Sequence, residues 1–127
     1  MNRDEHVLLM RPEIKTINQK IVQSDVEKFQ NEVLRPVIKF QHDLIIIIFE
    51  THLRRKHVEL AAFSLEKKVT LVEEVFMNDR LLINELKGVI VACFTCDEYL
   101  EYNLSLSEIN KRISQIIKVR VLNTLFK

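Results

Sequence analysis

A chain of 127 residues is the length of one ordinary domain, enough to bury a core without disulfides or a structural metal. Its composition, 47% hydrophobic and 29% charged, is globular and excludes a wholly disordered chain. A net charge of +1, from 19 basic and 18 acidic residues, excludes a molecule-wide field that would recruit nucleic acid, so any such role would have to be local.

One glycine and two prolines are too few for the special turns that sandwiches and barrels need, whereas helices joined by short links need few. The sequence therefore predicts an all-α fold: a bundle of about five helices over 24–127, preceded by an N-terminal arm over 1–23. The apolar run Leu44 to Phe49 is six residues, far short of the ~20 that span a bilayer. The opening MNRDEHVLL lacks the pattern of a secretory signal, and two cysteines three positions apart make no disulfide framework. The expected setting is a bacterial cytoplasm.

In chain order, the arm holds Pro12, which restricts Arg11 to extended angles, and has room for one short helix. Ser24-Asp25-Val26-Glu27 has the form of a capping box and predicts a helix from Asp25. Pro36 either kinks that helix or opens a new one. From Leu34 to Lys56 the helical period puts Leu34, Val37, Ile38, Gln41, Leu44, Ile45, Ile48, Phe49 and His52 on one stripe, with Lys39, Asp43, Glu50 and Arg54 opposite. The pairs Lys39/Asp43 and Glu50/Arg54 are spaced i,i+4, and Ile46 and Ile47 flank the polar line closely. A helix apolar nearly all round is expected to lie centrally or under a second subunit. Four consecutive isoleucines are strand-like, but the period around them extends over more than five turns and decides for a helix.

Arg54-Arg55-Lys56-His57 suits a helix C-terminus. Ser64 caps the next helix, Leu65 to Met77, and Asn78 is expected to cap another running to about Phe94. Thr95-Cys96-Asp97-Glu98 and Ser105-Leu106-Ser107-Glu108 read as two further capping boxes, with a last helix from Leu106 to Leu125.

Several features are candidates for chemistry, each beside an ordinary alternative. Cys93-Phe94-Thr95-Cys96 is a CxxC, but a closed zinc site needs four ligands and no second pair is present. Redox use needs the first cysteine at a helix N-terminus; here Cys93 falls at the other end, on the apolar stripe. Two ordinary cysteines flanking a helix junction are preferred, and neither a metal nor any cofactor is expected. Gln41 and His52 lie on the buried stripe, where a polar group must find a partner, either as core polar residues or as anchors of a ligand pocket between helices. Arg35 joins them as an anchor if Pro36 opens a helix, since free N–H groups there favour an anion. Gly88 and Ala92, four apart and off the main stripe, leave room for close helix approach and, with Ile46 and Ile47, are candidate dimer contacts. Residues 109–127 carry Lys111, Arg112, Lys118, Arg120 and Lys127 with no acid, but five charges spread round a helix without interleaved aromatics favour a packing helix over a nucleic-acid element. Arg120, within the apolar stripe, is expected to snorkel or find a partner.

The segment Phe29-Gln30-Asn31-Glu32-Val33-Leu34-Arg35-Pro36-Val37-Ile38-Lys39-Phe40-Gln41, with Leu86-Lys87-Gly88 and Phe94-Thr95, resembles a family of short helical proteins of Bacteroidetes-type bacteria. The resemblance covers most of the chain and implies no particular activity. A glyoxalase-like label used within that family does not suit these residues, because glyoxalase-type folds hold His and Glu metal ligands on strands, whereas this pattern is helical and its histidines are unclustered.

No nucleophile, base and orienter are arranged as an acyl-transfer site requires, so the reading turns away from an enzyme. The expected function is that of a homodimeric or protein-binding helical module without a membrane span. The competing class is a small-ligand protein or enzyme with a pocket near Arg35, Gln41 and His52; nucleic-acid binding through Lys111, Arg112 and Lys118 ranks third.

Overall fold

Ser24, Ser64 and Thr95 each accept the backbone N–H of the residue three positions on, at 3.1, 3.3 and 3.2 Å, and each opens a helix where the sequence places one. Thr95 completes a full capping box, its own N–H bonded to Glu98 Oε1 at 2.8 Å. The computed structural model describes residues 1–14 and 23–126, and every regular element among them is helical. The rest of the expected arm, 15–22, and Lys127 of the basic tail lie outside the described residues.

Helix α1 (Arg3–Met10) is followed by α2 (Asp25–Phe29), a π turn (Gln30–Leu34) and α3 (Arg35–Phe40), these last three running on without a break. Then come α4 (His42–Arg55), a 3-10 turn (Leu60–Ala62), α5 (Leu65–Asn78), α6 (Arg80–Val91), α7 (Cys96–Leu104) and α8 (Leu106–Leu125). With α2 to α3 counted as one rod, the described residues form seven helices rather than five. The excess comes from α1 and from a break at Gln41.

Pro36 neither opens a helix nor simply kinks one. It is the second residue of α3, and the wider π turn just before it bonds the Arg35 N–H to the Gln30 carbonyl, five residues back. A proline ring crowds the carbonyl four positions back, and an extra residue in that turn gives it room. Gln41, at φ −88° and ψ 6°, then bends the chain between α3 and α4. Past the bend the apolar stripe changes phase. Ile45, Phe49 and Leu53 are buried, whereas Leu44, expected inside, is 43% exposed and Ile47 is 56% exposed. Arg54 donates to the Thr51 hydroxyl rather than pairing with Glu50. The α4 helix therefore is not the central one. That place belongs to α6, which packs on α4, α5 and α8, and to α8, which also meets α7 and the π turn.

The α4 helix ends with His57 at φ 58°, its N–H bonded to the Arg54 carbonyl while Val58 N–H reaches back to Leu53, a Schellman close with histidine where glycine is usual. Two expected caps differ. Asn78 is the last residue of α5 and Asp79 caps α6 instead, accepting from Leu82 N–H at 3.1 Å; a carboxylate one position on competes successfully with the amide because Lys56 also bonds it, at 2.6 Å. Ser105 makes no side-chain cap, and Glu108, expected to close that box, turns to Arg112 at 3.2 Å. The bounds of α8 are those the period predicts, with Ile109, Ile113, Ile117 and Val121 buried.

The core joins Phe29, Leu34, Val37, Ile38, Phe49, Leu82, Leu86, Ile90 and Phe94 with the α8 stripe. Phe94 is its hinge point, edge-on to Phe29 at 5.5 Å and to Tyr102 at 5.6 Å. Among the described residues no helix is long and apolar enough to cross a membrane.

Candidate functional site

The polar residues on the expected stripe each find an ordinary partner. Gln41 donates from Nε2 to the Val89 carbonyl (3.2 Å) and to Cys93 Sγ (3.3 Å), fastening the bend to the end of α6. His52 Nε2 meets Glu85 Oε2 at 2.8 Å, further back along the same helix. Arg35 is exposed and donates to Asn31 Oδ1 at 3.2 Å; because α2, the π turn and α3 are continuous, it stands at no free helix N-terminus. Gln41 and His52 are eleven residues apart, roughly 16 Å of helix rise, so the three expected anchors do not converge on one pocket. Arg35 instead borders a small cavity of about 260 Å³ with Gln30, Arg112 and Ile116.

The CxxC straddles the junction of α6 and α7, with Cys93 buried and Cys96 exposed. Among the described residues no three His, Cys, Asp or Glu side chains gather as a metal site. What surrounds the junction is a clasp from the N-terminal helix. Arg3 donates to the carbonyls of Ala92 (2.8 Å) and Phe94 (2.9 Å), and Arg11 to that of Cys93 (2.6 Å). Asp4 accepts the first N–H of α7, from Cys96, at 3.2 Å. Thus α1 supplies cations to the negative end of α6 and an anion to the positive end of α7, the polarity that helix dipoles favour. Arg11 also grips Glu98 through both terminal guanidinium nitrogens, Nη1 and Nη2. Burial pushes the Glu98 carboxyl up, but the bond from Arg11 and the Thr95 N–H outweigh it and hold the group below its usual range.

This clasp was not among the expected sites. No local pattern marks it: the last-turn carbonyls of α6 are taken by the N–H groups of Ala92, Cys93 and Phe94 and by Gln41, and the clasp serves the carbonyls of Ala92, Cys93 and Phe94 in the link that follows. Where its donors come from is a long-range fact.

The expected dimer contacts are spread over two helices. Ile46 is half-buried and packs against the core, while Ile47 projects from α4. Leu44, also on α4, and Phe40, at the end of α3, are exposed one turn and two turns before it. On α6, Gly88 is exposed with open space where a Cβ would lie, and Ala92 is exposed with its carbonyl taken by Arg3. Comparison with family models, curated proteins and solved structures finds no match for this chain.

Proposed function

We propose that this chain is a small helical module that works by docking a second copy of itself through the outer face of α4, without chemistry of its own. The observation that carries the reading is the apolar line Phe40, Leu44 and Ile47, exposed at 43, 43 and 56%. Single exposed apolar side chains are ordinary, but Leu44 and Ile47 lie one turn apart on α4, with Phe40 at the end of α3 just before the bend, and neighbouring side chains of this kind can pack into the groove of another helix. A symmetric pair is the commonest way for such a face to find its complement. The polar stripe residues favour the same reading indirectly, since Gln41 and His52 are engaged with α6 and leave no polar anchor cluster there.

Size-exclusion chromatography with light scattering tests this at about 50 µM, well above the dissociation constant of a modest, micromolar dimer. The expected mass is that of two chains, falling to one in Ile47→Glu with an unchanged helical spectrum. A wild-type monomer at that concentration sinks the proposal.

A further inference from the structure

The basic character of α8 is not spread evenly. Ser107, Lys111, Ser114 and Lys118 follow at i, i+4, i+7 and i+11, one face of the helix, and all four line an open groove of about 700 Å³ whose other walls come from α5 and α6. From α6, Lys87 closes the basic side of this groove; Glu73 of α5 is the one carboxylate in its lining. The lining thus carries three cations against one anion, a local net charge of +2. Among the described residues none of the three lysines is in an ion pair.

The remaining lining fits the same chemistry. Asn110 accepts the Tyr102 hydroxyl proton at its Oδ1, which fixes the amide and leaves its two N–H donors for the groove. Phe76 offers an apolar wall. Lysines are compact charges on long stems that can converge as point charges on a multiply charged, oxygen-rich group such as a phosphate. The volume is that of a small-ligand site. Against a long nucleic-acid track, Arg112 turns aside to Glu108 and Gln30, and Arg120 to His42 at 3.2 Å, so no continuous basic stripe runs along α8.

We propose that the groove between α5, α6 and α8 binds a small phosphate-bearing molecule, with Lys87, Lys111 and Lys118 neutralising the phosphates and Ser107, Ser114 and Asn110 donating hydrogen bonds to their oxygens. Titration calorimetry of the full chain with inorganic tripolyphosphate and, separately, ATP, at about 50 mM salt so that screening stays weak, tests it. The control for Lys111→Gln/Lys118→Gln is Lys28→Gln/Lys39→Gln, which removes the same charge from α2 and α3, outside the groove lining. Both probes are expected to bind, with affinity reduced about tenfold or more in the groove variant and by less than about twofold in the control. ATP binding more tightly than tripolyphosphate assigns the Phe76 wall to a base; equal binding assigns the site to the phosphates alone, and both support the proposal. Equal losses in the two variants, no heat with either probe at millimolar concentration, or retention of duplex DNA alone overturns it.

Discussion

Arg11 and Glu98, 87 positions apart in the chain, meet in a two-point ion pair with N···O distances of 2.7 and 2.5 Å, and their side chains are 9% and 16% exposed. The same guanidinium donates to the Cys93 carbonyl at 2.6 Å, and the same carboxylate accepts the Thr95 N–H that closes the α7 capping box. One contact thus joins α1, the end of α6 and the start of α7. Replacing Arg11 by Ala leaves a nearly buried carboxylate without its cation and the Cys93 carbonyl, in the link between α6 and α7, without its donor. Removing one partner of a buried pair costs more than the pair itself contributes, about 3–5 kcal/mol. Urea melts should record that loss for Arg11→Ala and a much smaller one for Arg35→Ala, whose exposed side chain makes one local bond to Asn31.

The clasp also sets a pH dependence. The Glu98 carboxyl lies below its ordinary value of 4.5 because Arg11 and the Thr95 N–H outweigh the cost of burial. The Asp79 carboxyl lies below 3.8, chiefly through its bond to Lys56 and despite burial. In both, the unfolded chain takes up a proton at higher pH than the folded one, so their contribution is complete above the ordinary carboxylate values and disappears as pH falls through the lower folded values. Stability followed by circular dichroism should fall on acidification below about pH 4.5, the ordinary Glu98 value, and fall less steeply in Glu98→Gln/Asp79→Asn. An equally steep decline in that variant would show that other carboxylates govern the acid limb.

Ile45 and Leu44 separate what periodicity could place from what it could not. Counted from Leu34 as a continuous helix, both fall on the inner stripe; in the structure Ile45 is fully buried and Leu44 is 43% exposed. Ile45→Ala should cost about 2–5 kcal/mol through lost transfer energy and a cavity. Leu44→Ala should stay within about ±0.5 kcal/mol in the same melts. Comparable losses would restore the unbroken stripe and remove the exposed face of α4.

The bend responsible is written in a side chain rather than in a propensity. Gln41 is a good helix former, and what marks it as a break is the reach of its amide to Val89 and Cys93, 48 and 52 positions on. The clasp of Arg3 and Arg11 on α6 is invisible for the same reason, as partners more than 80 positions apart leave no local pattern. Features fixed within four residues were legible: the caps at Ser24, Ser64 and Thr95, and the whole of α8. Local rules also failed where two local partners compete. Asp79 takes the cap expected of Asn78 with help from Lys56, and Glu108 leaves Ser105 for Arg112. Of the candidate site residues, the sequence placed Gln41 and His52 on the side of the helix facing α6, but it could not say that their partners lie along that helix rather than around a shared cavity.

The two cysteines offer the cheapest check on how firmly the α6–α7 junction is closed. Cys93 is 7% exposed, its sulfur accepts from Gln41, and its carbonyl is held by Arg11. Cys96 is exposed at the first position of α7. A buried thiol behaves as a small hydrophobe and meets a reagent only when the fold opens around it, whereas an exposed one reacts in the native state. With an aromatic disulfide reagent, the native protein should release about one equivalent of chromophore promptly and the second only slowly or in denaturant. Cys96→Ser should abolish the prompt phase. Arg11→Ala should speed the slow one, because loosening the clasp raises the population in which Cys93 is open. If Arg11→Ala leaves the slow phase unchanged while lowering global stability, the junction opens only by complete unfolding and α1 is not what guards it.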